Sequence, residues 1–217
     1  MFKNYETSSI FYIMEKLQKA DLKNIITNSL NKAISYKDYI NLVKELVSKA
    51  STTGNEKTEA LANYTMLNSK RMKRWDKTIK LSEEVKEKVS KSIVNQTWLV
   101  LTESWCGDAA HLMPVMNKIA DLNENIAFKV VLRDQNQALM HQFLTNGAQA
   151  IPKLIMIDNT TKAVVNTFGP RPSEATKLVS NYRAKHGELT SEFKENLQHW
   201  YNKNKGQNAI SDLVSLF

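Results

Sequence analysis

The sequence predicts an α/β protein with a central mixed sheet flanked by helices, an all-helical N-terminal extension and a C-terminal helix. Up to residue 95, apolar residues recur at the three-to-four spacing of helices, whereas from residue 96 β-rich runs alternate with helical stretches. The 217 residues are 42% hydrophobic and 24% charged, which suits a globular protein with a core. Only 6 Gly and 4 Pro are present, too few for the many tight turns of an all-β sandwich.

The N-terminal extension, residues 1–95, predicts helices only. Residues 35–50 place their apolar side chains on one stripe, and Ser35 followed by Asp38 resembles an acidic capping box at the start of this helix. A turn signal at 51–54 separates it from the next helix. Two arrangements stay open: the extension folds alone, or it covers an edge of the sheet.

The second predicted helix, residues 61–79, has an apolar side and a strongly basic side. Tyr64 and Trp75 fall on the apolar stripe, so we expect both in the core, which disfavours a nucleic-acid site. A third helix is predicted at 82–93. The basic side predicts a solvated face that would suit an acidic protein partner, and it carries Lys70, Arg71, Lys73, Arg74 and Lys77.

From residue 96 the pattern predicts alternating strands and helices. A helix joins the first two strands, which implies a parallel pair, and a short turn joins the last two, which implies a hairpin. Ser173, after a Gly-Pro-Arg-Pro break, is expected to cap the last helix of this part. Strands are predicted at 97–102, 126–132, 151–157 and 164–168, and helices at 106–122, 137–144 and 173–185.

Three segments are therefore expected: the helical extension 1–95, an α/β domain 96–188, and a C-terminal helical tail 189–217 that packs on the body. The extension holds 18 Lys and Arg against 11 Asp and Glu, so most of the net charge of +8 lies there. No apolar run approaches the roughly 18 residues of a membrane helix. The apolar run 10–14 is too short for a signal peptide, so we expect a cytoplasmic protein without a membrane partner.

The cysteine content limits the thiol chemistry. Cys106 is the one cysteine of the chain, which excludes an intramolecular disulfide and a multi-cysteine metal site. It follows a buried strand and lies in the first turn of a helix, where unpaired amides and the helix dipole favour a thiolate. The negative charge of Asp108 disfavours ionisation of the Cys106 thiol. Asp108 itself is either a helix-start residue or a functional acid. The sequence leaves open which effect prevails.

The residues around Cys106 resemble the thioredoxin family. The resemblance is carried by Trp105–Asp108 after a buried strand, by Pro114 in the following helix and by the pair Ile151–Pro152. It implies a thioredoxin-like fold, an active-site helix kinked at Pro114, and a cis Pro152 that faces Cys106 across a cleft. The helical extension and the Trp-Cys-Gly-Asp signature are similar to a bacterial subgroup of the family.

The chain departs from the Cys-Xaa-Xaa-Cys site of the family, because Ala109 stands at the second cysteine position and Val100 at the buried acid. The resemblance therefore implies monothiol exchange, with Cys106 as the nucleophile on a protein disulfide or small-thiol mixed disulfide and an external thiol for release. Glu103 is either a proton acceptor or, as we favour, a surface residue at the strand end. Substrate positioning is expected from Trp105, Gly107, Asp108, Ile151 and Pro152.

Two alternative functions involve no catalysis of thiol–disulfide exchange. In the first, the protein is a redox-inactive binding module, and the groove beside Pro152 holds a peptide or protein partner through exposed backbone groups. In the second, the protein is a sensor whose Cys106 is oxidised or links two chains.

The remaining polar residues predict no metal and no cofactor. None of the 4 His pairs with another at a metal-ligand spacing, and His111 is expected to be exposed or to cap a helix. A group of Cys106, Asp108 and His111 is the less favoured alternative. Arg133–Asp134 is expected to be an ordinary surface pair, and Arg171, held between two prolines, is expected near the site.

Overall fold

The structure is a computed structural model that describes residues 20–217, so the apolar run 10–14 lies outside the described residues. Helix α1 covers 20–30. The N-terminal elements then follow as strand β1 (Ile34–Ser35) and helices α2 (Tyr36–Ser48), α3 (Glu59–Thr78) and α4 (Glu83–Ser90).

The second part alternates strands and helices, as the sequence predicts. Its elements are β2 (Gln96–Thr102), α5 (Gly107–Ala120), β3 (Ile126–Leu132), a 3-10 turn (Arg133–Gln135), α6 (Gln137–Gln142), β4 (Lys153–Asp158), β5 (Val164–Phe168) and α7 (Ser173–His186). Helices α8 (Ser191–Asn204) and α9 (Gln207–Val214) form the tail.

One mixed sheet of five strands in the order β1-β3-β2-β4-β5 lies at the centre of the described residues. Strands β2 and β3 run parallel, with Val100 opposite Val130, because α5 returns the chain across one face. Strand β4 runs antiparallel to β2 and forms the predicted hairpin with β5. The predicted α/β fold with flanking helices is therefore confirmed.

Strand β1 corrects the prediction that the extension is helical throughout. It pairs antiparallel with β3, Ile34 lying opposite Val130, and so covers the outer edge of that strand. Two residues are too few to show the alternation that marks a strand in a sequence. Ser35, the second of them, also caps α2 and accepts a 3.1 Å hydrogen bond from the amide of Asp38, as predicted.

Helix α3 packs along α5 and contributes to the core with its second half. Trp75 is buried there, as predicted, whereas Tyr64 is 52% exposed and the prediction that it lies in the core is wrong. In the first half of α3, the polar residues Thr65 and Asn68 face inward instead. They hydrogen-bond to Ser104 at the end of β2, so polar contacts replace an apolar stripe there.

The tail contacts the rest of the described residues, with Leu213 of α9 fully buried. It also corrects the role of Ser173, whose hydroxyl donates a 2.8 Å hydrogen bond to Asp212 of α9 instead of capping α7. The Ser173 amide donates to the same carboxylate at 2.6 Å. Of the helices in the described part of the chain, none is long and apolar enough to cross a membrane.

Candidate functional site

Cys106 lies at the junction of β2 and α5, where it is the N-cap residue of the helix. The residue is 7% exposed, and its Sγ donates a 3.3 Å hydrogen bond to the carbonyl oxygen of Ile151. The Ile151–Pro152 peptide bond is cis, in agreement with the resemblance. The structure therefore brings Cys106, Ile151 and Pro152 together, but the thiol faces the protein's own backbone.

The environment of Cys106 disfavours a thiolate. Burial raises the pKa of the thiol to about 12, and the nearby Asp108 carboxylate acts in the same direction. The amides of Ala109 and Asp108 and the Arg171 guanidinium favour the thiolate but do not outweigh burial. This answers the question that the sequence left open: the helix terminus does not activate this thiol.

The Asp108 carboxylate binds two side chains from distant parts of the chain. Its Oδ2 lies 2.7 Å from an Arg171 guanidinium nitrogen, and its Oδ1 accepts a 2.9 Å hydrogen bond from the Tyr201 hydroxyl. Burial raises the pKa of Asp108, while Arg171 and Tyr201 oppose that rise. Arg171 thus lies at the site, as predicted, and its charge is already paired.

His111 corrects the prediction of an exposed or capping histidine, because it is only 2% exposed. Trp75 Nε1 donates to His111 Nδ1 at 2.8 Å, and His111 Nε2 lies 2.8 Å from Gln198 Oε1. An indole nitrogen only donates, so the proton of the neutral imidazole is on Nε2. The ring stacks on Tyr201 with centroids 4.3 Å apart, and burial lowers its pKa to about 4.

Both imidazole nitrogens of His111 are thus occupied by Trp75 and Gln198, away from Cys106. The weaker alternative of a Cys106, Asp108 and His111 group is wrong for that reason. Within residues 20–217, no three His, Cys, Asp or Glu side chains are arranged to hold a metal ion.

Glu103 corrects the prediction of a surface residue at the strand end, because it is fully buried. Its Oε1 accepts a 2.9 Å hydrogen bond from the amide of Asp134. Burial raises the pKa of this carboxyl, whereas the Thr53 side chain, the Asp134 amide and the Arg133 charge oppose that rise. The role of a proton acceptor for the thiol stays a prediction.

The loop between α2 and α3 covers Glu103. A cluster of hydroxyl groups attaches this loop to the end of β2. Ser104 Oγ lies 3.1 Å from Thr52 Oγ1 and 2.8 Å from Thr65 Oγ1, and it accepts from the Thr53 amide at 3.0 Å. The Ser104 amide in turn donates to Thr53 Oγ1 at 2.7 Å. Sequence reasoning missed this cluster, since no spacing rule connects residues some 50 positions apart.

A pocket of about 380 Å³ opens beside Trp105, at the carboxyl ends of β2 and β3. Arg133, whose guanidinium carbon lies 5.0 Å from the Trp105 ring centre, is paired with Asp134 at 2.8 Å. The Arg133–Asp134 pair, which was expected at the surface, is therefore partly buried in the wall of this pocket. This end of parallel strands is where open α/β sheets commonly bind ligands. The lining residues are Asn55, Glu56, Leu61, Trp105, Arg133 and Asp134.

Gly107 is the remaining residue of the predicted site, and it begins α5 beside the basic helix α3. A side chain at this position would meet the Arg71 guanidinium at 3.7 Å. Arg71 donates to Asn68 at 3.0 Å and so belongs to the same contact between α3 and the end of β2. Pro114 lies inside α5, as the resemblance implies.

Comparisons with known proteins agree with this geometry. A family model described as Thioredoxin matches residues 54–185, more than half of the chain. A protein of unknown function from Pseudomonas aeruginosa has a similar structure, with a TM-score of 0.53 and 15% identity over 71% of this chain and 89% of its own. An HIV epitope-scaffold matches with a TM-score of 0.52 and 16% identity, over 84% of this chain and 97% of its own. No curated protein matched. At these identities the two structures show the fold alone.

Proposed function

The chain belongs to the thioredoxin family, and on that premise we propose that it is a binding protein whose single thiol is redox-silent. It holds an extended peptide or protein segment at the surface around Trp105 and the Ile151–Pro152 turn, without a covalent step. This is the alternative that the sequence left beside monothiol exchange.

The observation that carries the proposal is the closed thiol. Cys106 is 7% exposed, and its thiol donates a hydrogen bond to the carbonyl oxygen of Ile151. Attack on a disulfide requires an accessible thiolate, and burial with the charge of Asp108 opposes both access and ionisation. Ala109 removes the resolving thiol, so a mixed disulfide would have no internal route to release.

Binding at this surface uses features that need no thiol chemistry. Family members pair the backbone before the cis proline with extended segments, which is a form of strand addition. Here Cys106 contacts the carbonyl oxygen of Ile151, and the preceding Trp105 lines a pocket of about 380 Å³ that is large enough for one side chain of a partner. An acidic partner for the basic face of α3 stays a prediction.

A turnover assay tests the proposal. The purified protein is mixed with a glutathionylated peptide, glutathione and glutathione reductase, and consumption of reduced nicotinamide cofactor is followed. We expect a rate equal to that of Cys106→Ser, because the thiol does not enter the exchange. Turnover that depends on Cys106 would contradict the proposal and restore the monothiol activity implied by the resemblance.

A further inference from the structure

We propose that the exposed face of helix α3 binds a segment of a partner protein that combines acidic residues with large apolar ones. The Ile151–Pro152 turn is not part of this surface, so the inference goes beyond the proposed function and does not depend on it. The face consists of six exposed side chains, which are Met66, Leu67, Lys70, Lys73, Arg74 and Lys77.

The geometry of α3 places these six side chains on one side of the helix. Neighbours along the face are three or four positions apart, the spacing that puts helical side chains next to one another. From Met66 to Lys77 the face extends about 17 Å along the helix axis. The opposite side of α3 is buried, and it carries Thr65, Asn68, Met72 and Trp75.

The positive charge of the face is not compensated by the protein itself. None of its four cations forms an ion pair with a carboxylate of residues 20–217. Arg74 instead donates a 2.5 Å hydrogen bond to the neutral Asn202 Oδ1, and its guanidinium carbon lies 5.5 Å from the centre of the Trp75 ring. A row of cations without carboxylates attracts an acidic partner and orients it.

Apolar surface lies directly beside these cations. Met66 and Leu67 are each 41% exposed, and Tyr64, which flanks them, is 52% exposed. Single exposed apolar side chains are ordinary, but three within one helical turn form a patch. The exposure of Tyr64 is the feature that sequence periodicity missed, and it gives the face a site for apolar side chains of the partner.

The arrangement of the two kinds of surface favours a protein segment. The apolar patch and the cations follow one another along the helix axis, whereas a helix in a membrane interface separates them across its two sides. A nucleic acid would pair its phosphates with the cations but would leave Met66 and Leu67 without apolar contacts. A segment with acidic residues at one end and large apolar residues at the other complements both parts.

Fluorescence anisotropy with labelled peptides tests the inference on the whole protein. The probe is a peptide with glutamates in one half and leucine and phenylalanine in the other. One control peptide carries glutamine for glutamate, and a second carries serine for the apolar residues. We expect saturable binding of the probe that weakens as salt is added, and at least about tenfold weaker binding of both controls. Absent binding of the probe, or equal binding of the glutamine peptide, would overturn the inference.

Two pairs of matched variants locate the binding surface. Lys70→Glu on the face is compared with Lys177→Glu, an exposed lysine of α7, so that both variants change the net charge equally. Leu67→Ser is compared with Leu178→Ser, because both leucines are 41% exposed. We expect about fivefold weaker probe binding in each α3 variant and none of this loss in the α7 variants. Equal losses within either pair would contradict the assignment to α3.

The other anionic partners are tested with the same proteins. Single-stranded DNA and vesicles that contain phosphatidylserine replace the peptide, and the Lys70→Glu variant is measured beside the wild type. We expect both to bind more weakly than the acidic peptide. Tighter binding of DNA or of the vesicles, lost in Lys70→Glu, would overturn the assignment of a protein partner.

Discussion

The hydroxyl of Tyr201 donates a 2.9 Å hydrogen bond to Asp108 Oδ1, and this contact fastens the C-terminal helix α8 to the first turn of α5. Arg171, on the loop between β5 and α7, holds the other oxygen of Asp108 at 2.7 Å. Two distant segments therefore converge on the carboxylate next to Cys106. The carboxylate of Asp108 therefore anchors the C-terminal tail beside the thiol.

Tyr201→Phe removes this anchor while keeping the ring that stacks on His111. It leaves a buried carboxylate oxygen without its donor, so we expect the free energy of unfolding to fall by about 1–3 kcal/mol. Urea denaturation measures the change. Tyr182→Phe is the control, because the Tyr182 hydroxyl makes its 2.9 Å contact with Thr190 at an exposed site. Equal losses of unfolding free energy in both variants would contradict a stabilising role for the hydrogen bond between Tyr201 and Asp108.

Because His111 is buried as a neutral imidazole, we expect the protein to lose stability at acidic pH. Its pKa is about 4 in the folded protein against an ordinary value of 6.5, so the unfolded chain binds the extra proton first. The stabilisation is complete above pH 6.5 and is lost as the pH falls towards 4, by up to about 3 kcal/mol.

The measurement is urea unfolding at several pH values for the wild type, His111→Gln and His199→Gln. Buried carboxyl groups titrate in all three proteins, so the difference between them isolates the histidine. We expect His111→Gln to lose the acid-dependent component and His199→Gln, an exposed control, to retain it. Parallel curves for all three proteins would contradict the buried neutral imidazole.

Asp108→Asn tests the charge next to the thiol. The carboxylate is the second cause, after burial, of the raised pKa of Cys106. We expect its removal to lower the thiol pKa and to speed alkylation at pH 9 by about tenfold, although the thiol stays buried. Asp121→Asn, at the far end of the same helix, is the control and should leave the rate unchanged. An unaltered rate in Asp108→Asn would mean that burial alone determines the pKa.

Gly54→Ala tests the close approach of the loop to the pocket. Its Cβ would lie 2.9 Å from Asp134 Oδ2, in a backbone conformation with a φ of +90°. Gly147→Ala shares the positive φ but has open space around it, so it isolates the backbone cost of about 1 kcal/mol. We expect Gly54→Ala to lose at least about 1 kcal/mol more in thermal or urea unfolding. Equal losses would contradict the close packing around Gly54.

The sequence predicted the strand and helix order and the place of Cys106 between a strand and a helix, because periodicity is a local signal. The cis Pro152 opposite Cys106 was implied by the resemblance to the family. It did not predict the burial of Glu103, since the side chain is covered by a loop some 50 positions earlier in the chain. His111 was misassigned for a similar reason: its partners Trp75 and Gln198 come from α3 and α8. The misassigned residues are polar groups whose burial is made possible by distant hydrogen-bond partners.

The central claim, a closed and protonated thiol, is tested most directly by the rate at which N-ethylmaleimide modifies Cys106. The rate is measured at pH 8 in the native protein and in concentrated urea, where the thiol titrates near its ordinary pKa of about 8.5. We expect modification in the native protein to be at least about 100-fold slower than in urea, since both burial and the raised pKa of the thiol oppose it. A native rate equal to or above the rate in urea, with a midpoint near pH 7, would contradict it.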